Sequence, residues 1–318
     1  MIRPLIRREP TMKKTKNFAF GIAAFILANI ISGIALAGPV ILGGDDLTDH
    51  GSRPGSTNLQ GWLYIEKAIG NLLSQVTRSG PFTTSIAALG SSDPGAGNYP
   101  ASDAGGAINS VANVLGVTVD FFNGGSNIDT FFTNLGSGAV NPKVIWLAGT
   151  DASNDLTNPE GTALTNNASA INSFVSSGGG LMAHGFGSTA YGWLSALLPG
   201  LNEVAGCNSV GAALTPAGVA AFPGLSNSDI DSTSGPCHSH FEGDLGGLSV
   251  LALDGDNPSR NFIIGGGPNT QIVCGGPNQP PCNNNAIPEP NTLALLGFGL
   301  LGLGFPFRPS KKSFQAAL

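Results

Sequence analysis

"KVIWLAGT", residues 143 to 150, decides how the rest of the chain is read. Val144 to Leu147 form an apolar run without alternation, opened by a lysine and closed by Gly149. Such a run, bounded by a turn signal, reads as a strand buried on both faces, the habit of parallel sheets. Downstream, "GTALTNNASAINSFVSSGGG" (161 to 180) is expected to be one helix ending in glycines, as C-caps do. "LMAHG" (181 to 185) follows as a strand and "TAYGWLSALLPG" (189 to 200) as a helix. Upstream, "VTVDFF" (117 to 122) reads as a strand and "NIDTFFTNL" (127 to 135) as a short helix. "PVILGG" (39 to 44) is a further buried strand, and "GWLYIEKAIGNLLSQV" (61 to 76) keeps mostly helical spacing at Leu63, Ile65, Ile69, Leu72, Leu73 and Val76. A Gly/Ser/Pro loop then leads to a helix around 107 to 115.

"LSVLALDG" (248 to 255) and "NFIIGGG" (261 to 267) look like a strand pair, preceded by a loop-rich insert near 201–247. The alternation predicts an α/β domain over 38–267, built on a doubly wound, mostly parallel sheet. Sites in such sheets form at the carboxyl ends of the strands. Those ends read "GGDDLTDHG" (43 to 51), "DFFNGG" (120 to 125), "AGTDASND" (148 to 155), "AHGFGS" (183 to 188) and "DGDN" (254 to 257), where Asp, Asn, Gly and His accumulate. The candidate cleft is therefore Asp45, Asp46, Asp49, His50, Asp151 and His184.

The run from Lys143 to Gly200 resembles the class I glutamine-amidotransferase-like superfamily, through a strand ending "AGT", a helix ending "FVSSGGG" and a strand entering "AHGFG". The resemblance implies a flavodoxin/amidotransferase-like fold in which a sharp elbow carries a catalytic cysteine. A thiolate there attacks while neighbouring amides hold the oxyanion. The corresponding residue in "LMAHG" is Ala183, so thiol chemistry is not expected. Metal chemistry is the alternative. Asp45, Asp46, His50 and His184 offer imidazole and carboxylate donors suited to a divalent cation, zinc or a related ion, whereas carboxylates alone suit calcium. His238 and His240, in "CHSH", complete the four histidines of the chain. The competing reading is that these Asp and His residues cap helices and satisfy loop amides.

Both ends of the chain read as addresses. Lys13, Lys14 and Lys16 precede an apolar run from Phe18 to Leu36, and "ALA" (35 to 37) is a small-x-small cleavage site. A signal peptide over 1–37 is expected, with Met12 as the true start and an uncleaved membrane helix as the alternative. At the other end, Pro288, Glu289 and Pro290 precede an uncharged stretch from Thr292 to Phe307, followed by Arg308, Lys311 and Lys312. Proline blocks an earlier helix start, and a basic end after a short apolar helix favours the cytoplasmic side. This tail, 288–312, resembles the PEP-CTERM sorting signal of Gram-negative bacteria. The resemblance implies a transient transmembrane anchor in the inner membrane, processing by an exosortase-type enzyme, a final place on the outer surface or in the extracellular matrix, and an association with exopolysaccharide and biofilm.

Between Gly38 and Ile287 stand 14 Asp and 4 Glu against 3 Arg and 2 Lys, a net charge of −13 that the whole-chain value of −6 conceals. So acidic a body repels nucleic acid and anionic lipid. All four cysteines, Cys207, Cys237, Cys274 and Cys282, lie in the exported part and read as two disulfides. The preferred pairing is between neighbours, Cys207 with Cys237 and Cys274 with Cys282, the latter in a Pro/Gly/Asn-rich linker over 268–287. Three roles remain open: a non-catalytic binding domain at the cell surface, a metal-assisted hydrolase of extracellular glycan or peptide, and a purely structural surface protein.

Overall fold

The computed structural model describes residues 38–231 and 236–267. The expected signal peptide, the Cys274–Cys282 pair, the linker and the sorting segment with its transmembrane helix lie outside the described residues. Among the described residues no helix is long and apolar enough to cross a membrane.

The chain alternates strand and helix through its first two thirds. In order come β1 (Val40–Gly43), β2 (Gly51–Ser52), β3 (Leu59–Gln60), α1 (Gly61–Gln75), β4 (Thr84–Leu89), α2 (Ala104–Leu115), β5 (Val119–Phe122), α3 (Gly125–Ser137) and β6 (Pro142–Leu147). Next are α4 (Asn158–Asn166), α5 (Ala168–Ser176), β7 (Gly180–His184), α6 (Gly187–Tyr191) and α7 (Leu194–Leu197). The last part holds β8 (Leu201–Ala205), β9 (Ala213–Leu214), α8 (Pro216–Ala221), β10 (Ser239–Gly243), β11 (Ser249–Leu253) and β12 (Asn261–Gly266).

One mixed sheet runs in the order β5-β4-β6-β7-β1-β12-β10-β8, with β11 beside β12 and β9 beside β11. Neighbours from β5 to β1 are parallel, and every pairing beyond β1 is antiparallel. The connections β1 to β4 to β5 cross the sheet one way, and β5 to β6 to β7 cross it the other way. Right-handed crossovers then place α1 and α2 on one face and α3, α4 and α5 on the other. Accordingly α1 packs on α2, while α3 packs on α4. Covered on both faces, β1, β6 and β7 are buried almost throughout, as their unbroken apolar runs require. The largest fully buried side chains include Trp62, Trp146, Trp193 and Phe131.

Four elements depart from the sequence reading, one of them the helix expected over 189 to 200, which is two short helices, α6 and α7, parted at Gly192 and Trp193. The strand β4 occupies part of what reads as a Gly/Ser/Pro loop, because "TSIAAL" is short, alanine-rich and without clear period. The expected helix over 161 to 180 is two helices that meet at Asn167. The Asn167 amide donates to the Ala163 carbonyl and to Asp129 Oδ1, a local alternative to continuing the helix. The insert near 201–247 is more than loop, since β8, β9, α8 and β10 all lie within it.

The antiparallel wing has one consequence for the site. Strand β10 meets β12 at Phe241 opposite Asn261, just past the point where β1 stops. The segment before β10 therefore closes over the carboxyl end of β1. The amides of His238 and Ser239 both donate to the Gly44 carbonyl, at 2.8 and 3.1 Å, and Cys237 bridges Asp45. The expected Cys207–Cys237 disulfide is formed and ties this segment to the end of β8. Closing 30 residues, it stabilises the fold by about 3–4 kcal/mol through the chain-entropy argument.

At Gly44 the end of β1 passes close to the segment that enters β10, and a Cβ there would overlap the Ser239 carbonyl oxygen. Since a backbone atom cannot swing aside, Gly44→Ala is expected to cost about 1–3 kcal/mol. Urea unfolding should show a lower midpoint at unchanged slope.

Candidate functional site

Strands β1 and β7 are neighbours in register, Leu42 beside Ala183 and Gly43 beside His184. Their carboxyl ends, with the end of β6, form the floor of the site. The Tyr191 hydroxyl straddles the two strands, 2.7 Å from the Gly43 carbonyl and 3.1 Å from that of Ala183. Beyond Gly44 the chain turns through 45–50. The Asp49 amide donates to the Asp46 carbonyl, and Trp62 Nε1 donates to the Thr48 carbonyl at 2.8 Å. With Leu47 buried at the same turn, this short loop is held from both sides.

The site has two layers. The lower one is fully buried. His184 Nδ1 lies 3.4 Å from Asp45 Oδ1, and both side chains are 0 % exposed. Asp45 Oδ1 accepts from the Leu47 amide at 3.2 Å. The His184 ring sits against Trp146, 5.3 Å between centroids. Yet among the described residues neither nitrogen of His184 has an aligned hydrogen bond, nor do Asp45 Oδ2, Thr48 Oγ1, Tyr64 Oη or Trp146 Nε1. Buried polar groups of this kind are satisfied by water or an ion. Burial, and after it the charge of Asp45, holds the Tyr64 and Tyr191 hydroxyls well above the ordinary tyrosine range, so both remain neutral.

The upper layer centres on Asp46, 2 % exposed. Its Oδ2 lies 3.0 Å from His238 Nε2 and its Oδ1 lies 3.4 Å from His50 Nε2. Burial alone would raise the Asp46 carboxyl, but the two imidazoles outweigh it and hold the group below its usual value. In turn Asp46 raises His50 and His238 against the opposing effect of burial. Asp151 Oδ2 is 3.6 Å from His238 Nε2, on a side chain 55 % exposed. Its φ of 108° is the left-handed region, costly for a residue with a side chain. One donor atom each from Asp46, Asp151 and His238 lies within 4.8 Å of the others, and the same holds for Asp46, Asp49 and His50. The ring of Phe186 stacks on that of His238, centroids 4.6 Å apart.

The structure thus pairs Asp45 with His184 below and gathers Asp46, Asp49, His50 and Asp151 above. The sequence reading did not place His238 in the cleft, because its position depends on β10 crossing the end of β1. The adjacent Cys237 was the available signal, since a disulfide there fixes where the next residue points. Its neighbour His240 belongs elsewhere, with Nδ1 2.7 Å from the Gly206 carbonyl and Nε2 3.0 Å from Glu242. Chemically the site can bind hydroxyls, hold a cation or move a proton. At the end of β7, Ala183 is buried and Gly185, at φ 105°, makes the turn.

Asp155, between the site and α4, is pushed up to about 6 by burial, which outweighs the hydrogen bond from the Ala152 amide. A carboxyl with a folded pKa above its unfolded value keeps its proton longer in the fold, so its ionisation costs stability. That cost is absent below about pH 4, grows as pH rises towards 6 and is complete above. Asp155→Asn, which retains an acceptor for Ala152, should raise the melting temperature at pH 8 and leave it nearly unchanged at pH 4. An equal shift at both would show that the charge is not the cause.

The chain matches the PEP-CTERM protein-sorting motif over residues 286–305, which contain Pro288, Glu289 and Pro290. The motif implies processing by an exosortase and suggests export with a transient C-terminal anchor. No curated protein and no solved structure matches the chain, and no family match covers the stretch that resembles the amidotransferase-like superfamily.

Proposed function

We propose that this is an exosortase-sorted surface protein whose α/β domain binds a neutral extracellular polysaccharide at the Asp–His mouth, without covalent catalysis. The observation that carries this reading is the end of β7. Ala183 stands where the amidotransferase-like elbow would need its nucleophile, and the residues around it are hydrogen-bonding acids and imidazoles. Kinship with that superfamily is part of the proposal, supported by the strand–helix–strand run from β6 to β7 and its glycine elbow. Phe186, half-buried and stacked on His238, offers an aromatic face for a sugar ring. Asp49 and Asp151 supply acceptors for hydroxyls. A body charge of −13 repels acidic polymers, which favours a neutral one. A second reading, a metal-assisted hydrolase, is favoured by one feature: Asp46 is shared between His50 and His238 with Asp151 close by.

Two experiments test this. Removing residues 288–318 should free the body from the membrane fraction of cells that carry an exosortase, and a truncated chain that still sediments with membranes would refute the anchor. In affinity electrophoresis the secreted chain should be retarded by neutral matrix polysaccharide. Phe186→Ala should weaken that binding about fivefold, the equivalent of about 1 kcal/mol. Absence of retardation defeats the binding reading, and release of new reducing ends would replace it with the hydrolase.

A further inference from the structure

The geometry points to a divalent transition-metal site, of the zinc class, formed by Asp46, His238 and Asp151 at the mouth of the sheet. His238 Nε2 lies 3.0 Å from Asp46 Oδ2 and 3.6 Å from Asp151 Oδ2. Two ligands each about 2.1 Å from one ion, at tetrahedral angles, stand about 3.4 Å apart. The two observed separations bracket that value.

A second observation is independent of spacing. His238 Nε2 is buried yet has no aligned hydrogen bond among the described residues, although two carboxylate oxygens are this close. A simple imidazole–carboxylate pair would set the acceptor on the N–H axis. An off-axis nitrogen between two carboxylates is the arrangement of ligands that share an ion. Asp46, with only 4 % of its side chain exposed, also has an oxygen, Oδ1, without an aligned partner.

The surrounding groups fit the same purpose. His50, 3.4 Å from Asp46 Oδ1, holds the far side of the Asp46 carboxylate, as outer groups do for metal ligands. The segment before β10 delivers His238, and the Cys207–Cys237 disulfide secures it. The left-handed backbone at Asp151 commits a strained residue to the mouth. One imidazole with two carboxylates suits zinc, whereas calcium takes six to eight oxygens. The exposed side of Asp151 leaves coordination positions open to water or to a sugar hydroxyl. In that last respect the inference deepens the polysaccharide reading and rests on it; the cation itself rests on the ligand geometry alone.

The test uses the secreted chain, stripped by chelator and titrated with Zn²⁺ alone. One zinc per chain is expected, and Co²⁺ in its place should give the visible absorption of a nitrogen–oxygen site. Asp151→Asn, at an exposed side chain that folding does not need, and His238→Gln should each weaken zinc binding tenfold or more. His240→Gln, on a residue paired elsewhere, should bind as the parent does. Failure of the parent chain to take up zinc, or equal affinity in both site variants, overturns the metal site. Polysaccharide retention is measured on the same samples. Retention without zinc uptake removes the cation and spares the binding reading, whereas zinc uptake without retention does the reverse.

Discussion

Asp46 carries a buried charge between two imidazoles, and much of the structure around it follows from that. An isolated carboxylate taken out of water costs several kcal/mol, and the cost is offset only by well-placed partners. Those partners come from opposite ends of the sequence. His50 lies four residues on, held there by the short turn after β1. His238 comes from nearly two hundred residues away, and only the antiparallel wing can bring it. The wing is therefore more than an edge added to a parallel sheet. Its pairing on β12, the close approach at Gly44 and the Cys207–Cys237 bridge together set one imidazole over one carboxylate.

The parallel half was legible because burial on both faces writes itself as uninterrupted apolar runs. "PVILGG", "KVIWLAGT" and "LMAHG" are all strands in the fold, and their carboxyl ends hold the candidate residues. The same rule missed β4, whose alanines and flanking polar residues give no period. It also joined α4 to α5, since nothing in the helical pattern marks Asn167 as a break; its side-chain hydrogen bonds do that. The site was half legible. Residues on loops directly after parallel strands could be named, because topology alone puts them there. His238 could not, because it arrives through an antiparallel contact whose register depends on tertiary packing.

The two layers differ in how they bear their polarity. In the upper layer Asp46 lies within 3.4 Å of two imidazoles, and Asp151 reaches solvent. The lower layer has few partners of its own. His184, Asp45, Thr48 and Tyr64 are buried with several polar atoms that find no aligned partner among the described residues. A fold does not keep that many unsatisfied groups beneath a charged mouth for stability alone, since apolar residues of similar volume would serve better there. His184 directly follows Ala183, the residue at the elbow. The last side chain of β7 is thus a sealed imidazole, 3.4 Å from a buried carboxylate.

Export gives this arrangement its setting. A body of net charge −13 attracts cations and repels acidic polymers, and the sorting motif suggests that it works outside the cell. The disulfide that secures His238 forms and persists only in an oxidising compartment. Reduced, the segment before β10 would lose its tether to β8, and Asp46 would depend on backbone contacts alone to keep its second imidazole. Export, which the sorting motif suggests, would bring the chain into a compartment where this disulfide forms, and oxidation there would fix His238 beside Asp46.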